Sequence, residues 1–331
     1  MKFSWKNQKR PILALAPMAG YTDSAFRQLV KSIEPKTICF TEFTCTEGIV
    51  YNSKNTFRQL DFNPKKEKPL IVQIFGKKPE HFATSAKVLE ELGADAIDIN
   101  MGCPAKKVVS SDHGSALLKN PDLAAEIVAA TKNATALPVS VKTRIGISEY
   151  DPDWLIDFCK KLEKAGADLI SIHGRTAKQM YKGLANWNAA YEVKKNLKIP
   201  VIGNGDIASA KDALEKLQNL DGVMVGRATI GNPWLMAEIR AAFEGKTYKK
   251  PETFEEKLPI LIKHCELNVE TKGEKRGMLE MRKHLAGAVK GFPGASEYRA
   301  KVVHLNTLKE AKQILNEISN HIKNEQKLNN N

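Results

Sequence analysis

The chain has 331 residues, 42% of them hydrophobic and 27% charged, which is ordinary globular composition. That length can bury one large core or two, so a small scaffold dependent on disulfides or metals is excluded. With 51 Lys and Arg against 38 Asp and Glu, the net charge is +13, an excess that favours a polyanionic partner.

In chain order, short apolar runs rich in β-formers stand at 12–16, 37–40, 70–75, 96–100, 139–143, 169–173, 201–204 and 222–226. Most are bounded by Gly, Pro or Asn and separated by stretches with helical spacing, as at 79–92, 121–136, 153–165 and 208–217. The runs are nearly continuous in Val, Ile and Leu, the pattern of parallel strands covered on both faces. Eight such units in roughly 240 residues have the size of a (β/α)8 TIM barrel. A doubly wound open sheet is the alternative. It would usually have fewer strands and a Gly-rich first turn, whereas the first run here ends in Ala16-Pro17-Met18-Ala19-Gly20.

After Phe243 the pattern changes. Residues 245–253 read as a polar, lysine-bearing linker, and 254–271, 277–289 and 296–322 carry apolar residues at helical spacing. Gly291-Phe292-Pro293-Gly294 breaks the second helix from the third, and the polar tail 324–331 is expected to fray. The expected organisation is an α/β barrel domain over 1–245 followed by an all-helical domain over 253–325. From Lys246 to Asn331 there are 17 basic and 11 acidic residues, so the C-terminal quarter is the more basic part. No apolar run is long enough to span a membrane, and residues 1–10 are polar and basic rather than a leader. The five cysteines are odd in number and contain no C-x-x-C pair. A cytoplasmic protein with no metal site and no membrane association is expected.

Functional side chains of such barrels sit at the C-terminal ends of strands. There the chain places Pro17-Met18-Ala19, Gln73, Asn100 with Gly102-Cys103-Pro104, Lys142-Thr143-Arg144, His173-Gly174-Arg175, Asn204-Gly205-Asp206 and Gly226-Arg227. A packed barrel has no structural need for Gln, Asn, Lys, Arg and His at one rim. Glycines closing the last two strands allow backbone N–H groups to approach an anion, although alone they could simply make tight turns. Lys142 either faces an anion or polarised carbonyl, or turns outward near the strand end. Most unpaired cysteines are small buried hydrophobes, a reading that suits Cys39, Cys45, Cys159 and Cys265. Cys103 differs: Gly102 and Pro104 place it in a turn near Lys106 and Lys107, where a thiol can give or take a proton.

Over essentially its whole length the chain resembles the flavin-dependent tRNA-dihydrouridine synthases. The motifs are Ala16 to Asp23, Val72-Gln73-Ile74, Asp98 to Val108, Lys142-Thr143-Arg144, His173 to Thr176, Gly203 to Ile207 and Gly226-Arg227-Ala228. The resemblance implies a barrel holding FMN without a covalent bond, NADPH as reductant, and tRNA as the partner of barrel and helical domain alike. No obligate protein partner is implied. By the same resemblance Pro17, Met18 and Ala19 contact the flavin ring, and Gln73, Lys142 and His173 bond its polar edge or ribityl chain. Asn204, Gly205, Asp206, Gly226 and Arg227 hold the phosphate end, Cys103 is the proton donor, and Asn100, Arg144 and Arg175 hold the uracil or its phosphate. After Arg282-Lys283-His284 the chain reads Leu285-Ala286-Gly287-Ala288 where aromatic residues are expected, so the choice of uridine is not implied. Two alternatives remain at this point: a flavin enzyme of free pyrimidines similar to the dihydroorotate dehydrogenases, and a catalytically silent tRNA-binding protein.

Overall fold

The computed structural model describes residues 2–60 and 62–328. Its strands are β1 (Ile12–Leu15), β2 (Ile38–Phe40), β3 (Thr44–Cys45), β4 (Leu70–Phe75), β5 (Ala96–Met101), β6 (Val139–Arg144), β7 (Leu169–His173), β8 (Val201–Asn204) and β9 (Gly222–Val225). Every pairing is parallel, in the order β2-β1-β9-β8-β7-β6-β5-β4-β3, and β2 also pairs with β4. That last pairing closes eight strands into the expected barrel and removes the open-sheet alternative.

The short β3 is an addition to the expected eight. Phe40 lies opposite Ile71 and Thr44 opposite Ile74, so three residues on one strand face two on the other. β3 thus continues β2 past one extra residue, a bulge of the kind common beside functional rims. The interruption is bonded in place: the Thr41 N–H donates to Ile71 O at 2.9 Å, and its Oγ1 accepts the Gln73 N–H at 3.0 Å.

Side chains alternate in and out along each strand. Ile12, Ala14, Ile38, Phe40, Ile71, Ala96, Leu169, Ile202 and Met224 share one buried cluster with Trp5, which fills the N-terminal half of the barrel. Trp5 stacks on Phe40 with ring centroids 6.2 Å apart, and Phe3 meets Trp5 edge-on. One step further along the same inward rows stand Gln73, Asp98, Ser140, Lys142, Ser171, His173 and Asn204.

The crossover helices Pro79–Glu91, Pro121–Ala134, Pro152–Lys164 and Ala210–Leu217 correspond to the expected segments. Three start with proline at their first turn, where its missing N–H costs nothing. Asn120, Asp151 and Ser209 cap through side-chain oxygens.

The residues form two compact units. One comprises the chain up to Ala19 together with Lys36–Gly226, and the other Gly20–Pro35 together with Arg227 onward. The second unit is helical, with Ser24–Ile33, Leu235–Phe243, Phe254–Lys272, Glu274–Ala288, Ala295–Val302 and Leu308–Leu328. Leu261, Cys265, Met278, Met281, Leu285 and Leu315 lie in its core. Phe254–Lys272 opens with a capping box between Thr253 and Glu256.

Two expectations are corrected here. The segment 296–322 is not one helix. It breaks after Val302 and restarts at Leu308, where Thr307 Oγ1 accepts the Glu310 N–H at 3.2 Å and Glu310 accepts the Thr307 N–H at 3.3 Å. The tail expected to fray is helical through Leu328; residues 329–331 lie outside those described.

Within the helical unit, Asp23 caps Ser24–Ile33 by accepting the Phe26 N–H at 2.8 Å. It is also paired with Lys272, which bonds Glu280 at 2.5 Å. Burial pushes the Asp23 carboxyl up, but the Lys272 charge and hydrogen bond and the Phe26 amide outweigh it, leaving the pKa below its ordinary value. A depressed carboxylate contributes stability that is present above its unfolded pKa and lost as pH falls through the folded one. Lys272→Ala should therefore cost about 3–5 kcal/mol at neutral pH by stranding a buried charge. The deficit should shrink as pH falls through and below the ordinary carboxylate range and Asp23 protonates. Urea unfolding of both proteins at pH 7 and pH 3.5 checks this; an equal deficit at both would exclude the ion pair as its source.

Candidate active site

The polar half of the barrel interior is built by strand register. Gln73 lies opposite Asp98, Asp98 opposite Ser140, Asn100 opposite Lys142, Lys142 opposite Ser171, Arg144 opposite His173 and His173 opposite Asn204. Asp98 is fully buried and accepts hydrogen bonds from Gln73 Nε2 at 2.6 Å and Ser140 Oγ at 2.6 Å. Gln73 Oε1 in turn accepts from Asn100 Nδ2 at 2.9 Å. Asn100 Oδ1 accepts the N–H groups of Gly102 at 3.1 Å and Cys103 at 2.9 Å. Burial pushes the Asp98 carboxyl up to about 6, against the lowering pull of Gln73, Ser140 and Lys142.

Lys142 donates to Asn204 Oδ1 at 3.1 Å, and Asn204 Nδ2 donates to Met224 O at 2.8 Å. No carboxylate among the described residues lies within ion-pair distance of Lys142. Burial, reinforced by Arg144, lowers its pKa to about 8 despite the negative charge of Asp98. An ammonium so placed suits an anionic ligand.

Two arginines shape the rim. Arg144, only 4% exposed, donates from Nε to Gly102 O at 2.8 Å and from Nη1 to Thr176 O at 2.8 Å and Met180 O at 3.0 Å. Arg175, 2% exposed, donates to Lys182 O, Gly183 O and Asp206 Oδ2 at 3.2, 2.5 and 2.7 Å. Together they fasten the loop after β7 and leave Met180, Tyr181 and Leu184 exposed on it.

Cys103 follows β5 in a turn held by the Asn100 cap and by the Ser115 N–H donating to Cys103 O at 3.0 Å. Its side is crowded at Gly114, where an added Cβ would meet Cys103 O at 2.8 Å. Burial pushes the Cys103 thiol up, and the Ala105 amide and the charges of Arg144 and Lys142 only partly offset it. The thiol is therefore protonated at neutral pH. The charges that act on it come from β6, while Lys106 and Lys107 are exposed.

The other residues singled out in the sequence fall as follows. Pro17 and Met18 are half-buried after β1, and Ala19 is exposed. His173 is buried at the end of β7. Gly205 has φ +127°, and an added Cβ would lie 2.7 Å from Ala185 Cβ and 3.3 Å from His173 Cδ2, so this turn requires glycine. The Asp206 carboxylate is taken by Arg175 and by the Ala185 N–H at 2.9 Å. Gly226 borders Ala16 and Met18, where a Cβ would make ordinary contacts at 3.5 Å. Arg227 is exposed and opens the 3-10 turn Arg227–Thr229; it is counted with the helical unit.

Asp98 and Ser140 were not among the candidates, although the alternation that places Ala96 and Asn100 inward also places Asp98 there. Ser171 Oγ and Arg175 Nη1 are buried with no partner among the described residues. Such atoms, with the Lys142 ammonium, which has no carboxylate partner among the described residues, are the donors an anionic, carbonyl-rich cofactor would satisfy, so the residues present fit a flavin.

A closed parallel barrel whose titratable and amide side chains gather at the C-terminal rim, around a protonated thiol, is the architecture of a barrel enzyme. The chain belongs to the dihydrouridine synthase family, whose model matches residues 14–327. Making dihydrouridine from uridine is a reduction, so the protein is an oxidoreductase. It is 37% identical to a probable tRNA-dihydrouridine synthase 1 of Synechocystis over 91% of this chain and 84% of that protein. It is 38% identical to a probable tRNA-dihydrouridine synthase of Rickettsia conorii over 89% of each. Among solved structures, morphinone reductase superposes with a TM-score of 0.52 at 12% identity, over 73% of this chain and 87% of that one. Histamine dehydrogenase from Rhizobium sp. 4-9 gives 0.55 at 13% identity, over 77% of this chain and 48% of that longer one. These structures share the barrel fold. No helix among the described residues is long and apolar enough to cross a membrane.

The raised thiol pKa has a direct readout. Iodoacetamide should alkylate Cys103 slowly at pH 7, and the rate should still climb at the pH where an ordinary thiol, with a pKa of about 8.5, begins to level off. Mass spectrometry of the Cys103 peptide across pH 6–10 measures it; a plateau near pH 7 would show a thiolate site instead.

Proposed function

We propose that the protein reduces uridines of tRNA to 5,6-dihydrouridine in the cytoplasm, with non-covalent FMN as cofactor, NADPH as reductant and Cys103 as proton donor. The observation that carries this reading is the presence of a half-buried ammonium, Lys142, and a protonated thiol, Cys103, at one barrel rim. Reducing the C5=C6 bond needs a hydride at one carbon and a proton at the other. The hydride is the chemistry a reduced flavin supplies when bound.

Pro17, Met18 and Ala19 would line the flavin ring, with Gln73, Lys142 and His173 at its polar edge and ribityl chain. Lys142 would stabilise negative charge on the reduced ring, a role a neutral amide does not fill. Gly205, Gly226 and Arg227 would hold the phosphate. Asn204 and Asp206 would stand beside it with their side chains engaged by Lys142 and Arg175. Cys103 Sγ gives its proton to C5 of the uracil and is left as a thiolate, which the charges of Arg144 and Lys142 stabilise until solvent reprotonates it. Asn100, Arg144 and Arg175, carried over as contacts to uracil or its phosphate, are supported chiefly as residues that shape the pocket, because most of their hydrogens go to the protein itself.

A base must leave its stack to enter a barrel mouth, so the substrate is an unpaired or flipped loop nucleotide. The basic excess of the segment from Lys246 onward supports a role for 253–325 in binding the RNA backbone. Affinity for tRNA should then fall linearly in log–log form with salt through counterion release; filter binding at 50 and 200 mM salt that gave one value would count against it.

Position-mapped nucleoside mass spectrometry of tRNA from cells with and without the gene tests the reaction itself. In stopped flow, Cys103→Ala should leave flavin reduction by NADPH close to the parent rate and slow reoxidation by tRNA about 10²- to 10⁴-fold. Reoxidation at the parent rate would remove Cys103 from the chemistry.

A further inference from the structure

The chain of hydrogen bonds from Asp98 to the Cys103 turn has a direction. Each of its two middle members, Gln73 and Asn100, carries an amide whose oxygen and nitrogen ends exchange on a half-turn. An ionised carboxylate can only accept. Asp98 Oδ2 accepts from Gln73 Nε2, which turns Gln73 Oε1 toward Asn100 Nδ2, which turns Asn100 Oδ1 toward the N–H groups of Gly102 and Cys103. Ser140 Oγ donates to the second carboxylate oxygen at 2.6 Å, so both oxygens of Asp98 are occupied by donors. Asp98, Gln73 and Ser140 are fully buried and Asn100 nearly so, so water does not substitute for a missing partner.

We propose that Asp98 is a positioning residue for the uridine-reducing site: acting through Gln73 and Asn100, it sets the polarity of this chain and thereby the conformation of the Gly102-Cys103 turn. This rests on the reading of Cys103 as the proton donor and gives its thiol a cause for facing the substrate. With an acceptor at one end and two backbone N–H groups at the other, only one arrangement of the two amides satisfies every member. The second Nε2 hydrogen of Gln73 is then left as the group that Gln73 can offer a flavin carbonyl. Asn100 acts in this chain by holding the turn.

Moving the carboxylate along the chain tests the idea. In Asn100→Asp the new acid still accepts the Cys103 N–H but faces Gln73 Oε1, so Gln73 has a carboxylate on each side and donates to only one. In Asp98→Asn/Asn100→Asp the whole chain can reverse: the side chain at 98 donates to Gln73 Oε1, Gln73 Nε2 donates to the carboxylate at 100, and every member of the chain is satisfied again. Asp98→Asn alone removes a buried charge that opposes folding, so it should melt no lower than the parent and a slower rate in it is not a loss of fold.

The measurements are alkylation of Cys103 in the absence of tRNA and, in the flavin-loaded enzyme, reoxidation by tRNA against reduction by NADPH. Asn100→Asp should shift alkylation and slow reoxidation by about tenfold or more, the scale of one misplaced charge-assisted hydrogen bond. The double variant should return both to within about threefold of Asp98→Asn, the coupling expected of members of one network. A double variant no better than Asn100→Asp, with the single effects merely multiplying, would overturn the proposal. A parent enzyme that tRNA never reoxidises, together with the expected alkylation pattern, would sink uridine reduction while leaving the polarity of the chain established.

Discussion

Inside a closed eight-stranded barrel every second residue points to a space that bulk water does not fill, and leaving a polar group there without a partner on a neighbouring strand is costly, which makes Ser171 Oγ an exception among the described residues. The lower inward rows are apolar and satisfy the constraint trivially. In the upper rows the register sets Asp98 between Gln73 and Ser140, and Lys142 within reach of Asn204. The polar half is thus two hydrogen-bonded chains rather than a collection of separate side chains, one running from Ser140 through Asp98, Gln73 and Asn100 to the Cys103 turn and the other from Lys142 through Asn204 to the β9 backbone.

The same constraint explains the two arginines. A guanidinium at a crowded rim has five donors and no way to lose its charge. Arg144 and Arg175 spend them on carbonyls of Gly102, Thr176, Met180, Lys182 and Gly183. Carbonyls that would otherwise end in an irregular loop become its anchors, so the β7 loop is tied at its base while the side chains of Met180, Tyr181 and Leu184 are exposed.

Much of the fold was legible because its signals are local. Eight apolar runs with Gly, Pro or Asn at their ends read as strands, and proline-led amphipathic stretches read as crossover helices. The break at 303–307 was legible too, in Thr307 followed three residues on by Glu310, but the apolar spacing across it masked that signal. Other features depend on distant partners. Ser24–Ile33 groups with Phe254–Lys272 because Asp23 finds Lys272 more than two hundred residues away, and no spacing announces that. The bulge before β3 depends on how β2 meets β4. At the site, residue types at strand ends pointed to the rim, but only the hydrogen bonds reveal that Asn204, Asp206 and both arginines have side chains occupied by the protein. Asp98 was passed over because a carboxylate within a strand becomes meaningful only when its two donors are seen.

The aromatic plug at the foot of the barrel bears on kinetics. Trp5, 1% exposed, stacks on Phe40 and is braced by Phe3, which stoppers the N-terminal end and leaves the rim as the way in. If the proposed reductant and RNA both reach one cofactor through that doorway, they cannot occupy it together. On the proposed function turnover would then alternate visitors, the reductant leaving before the macromolecule arrives, with the parallel double-reciprocal plots of ping-pong order.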